Sequence, residues 1–347
     1  MSSAPTSSAP INFDHIAAMS DRFGTFEHAE RRTPRAEHGY CVDDVARVLL
    51  VAARERERNS MVTQLMESSC RFVMEAQNES GEIRNRRSAD GTWHGPMTVD
   101  DCWGRSLWGL GTAAAMADSA LAEQALTSFD RGARLRSTWS RSMAFAALGA
   151  AEVVRAHPNH QGAMELLHDA ASVIDAPSDD SGWMWPEHRL TYANAAVPDA
   201  LMAAGHALGR PALVERGLAL LGWLLGRETL HGHLSVTPAG GAGPRDGGTV
   251  DDGAVFDQQP IEVAAMADAC SRAVDLTGWS SWRSGIEMAG AWFDGDNDSM
   301  CVMWDAESGG GFDGLERGGR NENQGAESTL ALISTRQVLR RYAPARV

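Results

Sequence analysis

VDDVARVLLVAARERE, residues 42–57, decides the fold. Val42, Val45, Ala46, Leu49, Leu50 and Ala53 recur at helical steps, which lines them along one side of an α-helix and leaves the charges around the rest. Outward from this stretch, the same spacing predicts helices over 60–77, 102–117, 119–135, 140–156, 161–174, 194–208, 211–226, 258–276, 281–294 and 325–342, and 11–28 adds a twelfth. Strand character is confined to 81–94, with a turn at Asp90-Gly91, and to 230–237; both predict hairpins inside connections. The links after 57, 117, 157, 208 and 276 are short, whereas 78–100, 176–193, 227–257 and 295–324 are long and rich in Gly, Asp, Trp and Pro. That is the rhythm of stacked helical hairpins with tight turns at one end and elaborated loops at the other. Six such hairpins can close as a double ring. The expected fold is therefore all-α, an (α/α)6 toroid of about six helical hairpins with short β-hairpins in the rim loops. An open solenoid would repeat with a fixed period, and these helices and loops do not.

The chain has 347 residues; its 31 basic side chains, all arginine, face 46 acidic ones, for a formal charge of −15. Apolar residues make up 43%, so a proper core can form. No basic face is available for a phosphate backbone or an anionic bilayer, so nucleic acid and membrane are not expected partners. No run approaches the ~20 apolar residues that span a bilayer. Residues 1–10, MSSAPTSSAP, read as a flexible N-terminus without the charged and apolar regions of a secretion signal, which predicts a cytoplasmic protein; 11–347 reads as a single domain. The five cysteines are widely spaced with no CxxC, so buried thiols are expected in place of a disulfide framework or zinc ribbon. No cofactor and no metal is expected.

Six segments at or just before the starts of alternate helices collect the polar and aromatic residues: 38–47, 98–105, 138–141, 183–194, 250–262 and 320–328. If alternate helices form the inner ring, all six meet at one rim. The candidate acids and bases are Asp43, Asp44, Asp101, Glu187, Asp257 and Glu327, with Asp43 and Asp101 foremost. The candidate binding residues are His38, Tyr40, Arg47, Asp100, Trp103, Arg105, Trp185, Tyr192, Asn194, Gln258, Gln259, Glu262, Asn321 and Asn323. Carboxylates accept paired hydroxyl hydrogen bonds, aromatic faces cover the C–H face of a sugar ring, and two carboxyls of unequal pKa can cleave a glycosidic bond. The plainer reading of a single aspartate is a helix cap; in each Asp-Asp pair one acid is expected to cap and the other to face the cavity. Tryptophans 103, 108, 223, 279, 282 and 292 lie on helical faces and read more simply as core, which sets two readings on Trp103.

Other motifs carry less. The VDD triplets at 42–44, 99–101 and 250–252 lack the DxDD and DDxxD patterns of terpene cyclases. Asp294, Asp296 and Asp298, with Asp305, suggest a calcium loop, but Ser299 stands where such a loop needs glycine, so a solvated acidic turn is expected. The glycine-rich stretches 239–248 and 308–319 read as loops and not as nucleotide cradles. Cys41, Cys102 and His38 lack zinc-motif spacing. His94, His188, His231 and His233 lie on rim-side loops, where a histidine pair could serve an epimerase.

As a set, HGYCVDDVAR (38–47), DDCWGRSLWGLG (100–111), LTYANAAVPDAL (190–201), FDQQPIEVAAM (256–266) and NQGAESTLA (323–331) resemble the motifs of a bacterial (α/α)6 toroid family of glycosidase-like proteins, found alone or fused to glycosyltransferase modules. The resemblance implies the six-hairpin fold, a carbohydrate ligand and a glycosyltransferase as functional partner. It departs at Tyr192-Ala193-Asn194-Ala195, where the family reads Tyr-Asp-Asn-Ala, and this implies altered specificity or reduced activity. The leading expectation is a glycoside hydrolase acting on a glycan or oligosaccharide, with inverting chemistry as the default. The alternatives are a sugar epimerase or isomerase, or a non-catalytic glycan-binding accessory module.

Overall fold

A computed structural model of the chain describes residues 10–174, 183–244 and 253–343. Residues 1–9 of the expected flexible N-terminus, and Val250, Asp251 and Asp252 of the third VDD triplet, lie outside the described residues. Twelve α-helices occur among the described residues: α1 (Asp14–Ala18), α2 (Val42–Arg54), α3 (Ser60–Ala76), α4 (Asp101–Met116), α5 (Ser119–Gly132), α6 (Ser140–Ala156), α7 (Gln161–Ile174), α8 (Ala196–Ala207), α9 (Pro211–Arg227), α10 (Pro260–Thr277), α11 (Ser281–Phe293) and α12 (Ala326–Tyr342). Each of α2, α4, α6, α8 and α10 packs against the next, α10 packs against α12, and α12 returns to α2. That cycle closes the inner ring. The helices α3, α5, α7, α9 and α11 each pack on the inner helix before them, and α12 meets α1. The expected (α/α)6 toroid is the fold.

The layers differ in burial for a simple reason. Outer α9 buries Leu213, Gly217, Leu220, Leu221 and Leu224, a single stripe at helical spacing. Inner α4 has neighbours all round, and its residues from Cys102 to Ala114 are all buried. Its packing on α6 is backbone-close. A Cβ on Gly149 would overlap the carbonyl oxygen of Leu107, and one on Gly111 would overlap that of Gly149.

Nine short strands occur among the described residues: β1 (Ala29–Glu30), β2 (Thr33–Pro34), β3 (Tyr40–Cys41), β4 (Ile83–Arg87), β5 (Trp93–Thr98), β6 (Thr229–Leu230), β7 (His233–Leu234), β8 (Leu315–Glu316) and β9 (Gly319–Arg320). The expected hairpins are β4–β5 and β6–β7. The first gains β3 as a third strand, which ties the start of α2 to the rim. The expected helix over 11–28 is shorter than its pattern: the Asp21 carboxylate accepts the backbone N–H groups of Phe23 and Gly24 and turns the chain just past α1. No helix among the described residues is long and apolar enough to cross a membrane.

Candidate active site

A cavity of about 400 Å³ opens at the rim where the inner helices begin. Five of the six polar segments supply a lining residue: Asp43, Asp44 and Arg47 from α2, Asp101 and Arg105 from α4, Tyr192 before α8, Gln259 before α10, and Glu327 and Ser328 from α12. The sixth segment, 138–141, stands behind this wall. Its Arg141 binds Glu187 and, 2.9 Å away, Asn194 Oδ1. It also lies 5.3 Å from the Tyr192 ring centroid.

The expectation that one acid of each pair caps its helix is corrected: neither α2 nor α4 has a side-chain cap hydrogen bond. Asp43 and Asp44 both line the cavity, whereas Asp100 is exposed outside it. Asp43 Oδ2 accepts from Asn85 Nδ2 at 3.0 Å and from the Cys41 thiol at 3.3 Å. Its Oδ1 is buried without a hydrogen bond, 3.7 Å from Arg105 Nε. Arg47 bridges two acids, with Nη1 2.6 Å from Asp44 Oδ1 and Nη2 2.6 Å from Glu327 Oε2. Burial nevertheless dominates at Asp44 and pushes its pKa up to about 7; Arg47 opposes the rise, and Glu327, Glu27 and Asp43 add to it. Asp101 accepts at both oxygens, from Ser142 Oγ at 2.8 Å and from the Tyr192 hydroxyl. Burial beside Asp101 holds the Tyr192 hydroxyl well above the usual phenol range.

The other expected residues lie elsewhere. Glu187 is engaged by Arg141, Ser140 and Trp185, and these contacts hold its pKa low against the opposing effect of burial. Asp257 sits against Gly314, its pKa raised by burial and by Glu316 and Asp313. Neither lines the cavity. Tyr40, Trp103, Trp185, Asn194 and Gln258 take places in the protein interior and offer no surface to a ligand. Their polar atoms are used internally: Tyr40 donates to Asp21 at 2.8 Å, Trp103 to the Gly132 carbonyl at 3.2 Å, and Gln258 to Asp298 at 2.7 Å. Glu262 is buried too; it accepts the backbone N–H groups of Ala193 and Asn194, fixing a turn in which Ala193 adopts φ 46° and Tyr192 is delivered to Asp101. Asn321 and Asn323 brace the β8–β9 loop through the Asn323 N–H to Asn321 Oδ1 contact at 2.9 Å, and Asn323 Oδ1 accepts from Arg31. His38 is exposed and meets His28 edge-on at 5.0 Å between centroids.

In the acidic turn Asp294 and Asp296 are exposed as expected, but the Asp298 side chain is buried and accepts from His233 and Gln258. None of His94, His188, His231 and His233 lines the cavity. Glu27, Cys41 and Asp44 bring one ligand atom each within 4.8 Å of one another. The set does not fit a metal ion, because Arg86 and Arg47 already pair with the carboxylates and burial holds the Cys41 thiol well above its usual pKa.

Sequence reasoning missed Glu27, His28, Arg86 and Asp313 on the cavity wall. Glu27 and His28 fall in the segment read as a helix, Arg86 in a hairpin, and Asp313 in a glycine-rich loop. No local pattern marks them; they arrive through β3–β4 pairing and through the Gly325 N–H bond to Asp313 Oδ1 at 2.7 Å.

No protein-family model and no curated protein sequence matches the chain. Solved structures do. A sugar epimerase from a ruminal bacterium superposes with TM-score 0.69 at 11% identity, covering 96% of both chains. Cellobiose 2-epimerase from Spirochaeta thermophila DSM 6192 gives TM-score 0.64 at 13% identity over 94% of both. A family 88 glycosyl hydrolase from Bacteroides vulgatus gives 0.60 at 8% identity, over 88% of this chain and 93% of that one. At such identities the likeness is one of fold, and the shared fold is the closed (α/α)6 toroid.

Proposed function

We propose that this protein is a carbohydrate-active enzyme, a glycoside hydrolase that cleaves an oligosaccharide or glycan at the rim cavity. The observation that carries this reading is a pair of carboxyls on neighbouring inner helices in different chemical settings. Asp44 retains a proton near neutral pH because it is buried. Its Oδ1 accepts from Arg47, so the proton resides on Oδ2, which makes no hydrogen bond among the described residues. Asp101, held as a two-fold acceptor by Ser142 and Tyr192, is the partner base. A carboxyl that burial keeps protonated suits the acid's role, and this supports giving it to Asp44. In the proposed reaction Asp44 gives its proton to the glycosidic oxygen as the C–O bond breaks. Asp101 takes a proton from the water whose oxygen bonds to the anomeric carbon, as in inverting enzymes. Toroid neighbours named as sugar epimerases and as a glycosyl hydrolase support a saccharide ligand.

A second reading, sugar epimerisation, is favoured by the epimerase neighbours and by His28 on the cavity wall beside His38. Reducing-sugar release from a panel of mannans, glucans and arabinans separates the two. Hydrolysis is expected, and Asp101→Asn should lower it roughly 10²–10⁴-fold. Interconversion of free sugars, abolished by His28→Ala and indifferent to Asp101→Asn, would replace this reading by the second.

A further inference from the structure

Arg105 lies at the floor of the cavity, 5% exposed, and makes no hydrogen bond among the described residues. One face of its guanidinium covers the Phe145 ring at 3.9 Å. Its nearest acid oxygen, Asp43 Oδ1, is 3.7 Å from Nε, too long for a hydrogen bond, and is itself buried without a partner. Arg47 Nε, beside them, is also buried and unpaired. Asp43 Oδ1 is buried without a hydrogen bond, and the Arg105 guanidinium, which lines the cavity, has none to the protein; a ligand or water is what completes such groups. The group that completes both at once is a hydroxyl: its oxygen accepts from Arg105 and its proton goes to Asp43 Oδ1. A carboxylate or phosphate satisfies Arg105 but sets its own lone pairs against Asp43, in a wall where Glu27, Asp44, Asp101, Asp313 and Glu327 outnumber Arg47 and Arg86.

We propose that Asp43 and Arg105 form a hydroxyl clamp that selects neutral glycosyl units and rejects uronosyl and phosphorylated ones. This deepens the reading of the cavity as a saccharide site and rests on it. In the clamp Arg105 and Asp43 are binding residues; the chemistry stays with Asp44 and Asp101.

The test is titration calorimetry on the full chain with methyl glycosides of glucose, mannose and galactose, each beside its hexuronate. At least one neutral glycoside should bind, at least tenfold tighter than its uronate. Arg105→Met should weaken that binding at least tenfold while circular dichroism and melting show a folded protein. Asp43→Asn removes the like-charge conflict and keeps the shape, so it should shift the neutral-to-uronate affinity ratio at least fivefold toward the uronate. That shift is a readout that a merely structural role would not move, and it serves even if Arg105→Met unfolds. Tighter binding of any uronate than its neutral partner by the unaltered protein, no binding of any neutral glycoside, or an unchanged ratio in Asp43→Asn would overturn the clamp. Neutral-selective binding without turnover would leave the clamp standing and remove the hydrolase. Turnover of uronate-terminated chains would do the reverse.

Discussion

Asp44 titrates near pH 7 because burial outweighs its contact with Arg47, and this has a kinetic and a thermodynamic consequence. In its proposed role of general acid it must be protonated, so kcat/KM should fall as pH rises through about 7. Asp44→Asn should lose roughly 10²–10⁴-fold in rate, along with that limb of the profile. The sign for stability follows from linkage. The native pKa stands above the ordinary carboxylate value, so between about pH 4 and 7 the folded chain holds a proton that the unfolded chain has released. This contribution is fully present below pH 4 and is lost as pH rises through about 7. Denaturant titrations should show Asp44→Asn flattening that slope by up to about 1.4 kcal/mol per pH unit. An Asn variant with the parent's slope would mean Asp44 does not titrate there. The acids themselves were legible at this scale: Asp43, Asp44, Asp101 and Glu327 stand at helix starts. Their protonation was not, because it depends on which side chains bury them. The cap expectation for the Asp-Asp pairs failed for a related reason, since the backbone leaves each lining side chain free to turn toward Arg47, Arg105 or Tyr192.

Behind the cavity wall, α4 and α6 are held backbone-close by Gly104, Gly111 and Gly149. Asp101 and its partner Ser142 sit on these two helices, so their separation fixes the carboxylate's orientation. Gly149→Ala places a methyl group into the Leu107 carbonyl and must spread the pair. Overpacking of this kind costs about 1–3 kcal/mol, and thermal or urea unfolding should show a loss in that range. A Gly149→Ala protein as stable as the parent would mean that the helices can part without strain. Helical periodicity reveals each helix well but says nothing of how near two helices approach. The first of the twelve was overread because its apolar spacing runs through the turn closed by Asp21. The third strand of the rim sheet, Tyr40–Cys41, was missed because two residues carry no period.

Across the whole molecule, the ring brings residues nearly 300 positions apart to one mouth, as Arg47 and Glu327 do at 2.6 Å. The rhythm of short and long links was enough to place the acid-bearing helix starts together. It was not enough to rank them, and Asp257 and Glu187 lie off the cavity because their loops fold against Gly314 and Arg141. The opposite mouth holds a hollow of about 610 Å³ filled with paired charges, among them Arg54–Asp268 at 3.0 Å and Arg340–Glu55 at 2.6 Å. An apolar groove of about 570 Å³ runs between α11 and α12. A smaller apolar hollow of about 50 Å³ shares Arg47 and Arg105 with the rim cavity, and among the described residues the rim cavity is the hollow that combines Arg105 with Asp43, Asp44 and Asp101. The most direct measurement is a crystal structure of Asp101→Asn soaked with a neutral oligosaccharide. The expected result is a sugar ring in the rim cavity, with a glycosidic oxygen within hydrogen-bond reach of Asp44 Oδ2 and a hydroxyl between Asp43 and Arg105. A saccharide seated in the charged hollow or the apolar groove, with the rim cavity holding only water, would contradict it.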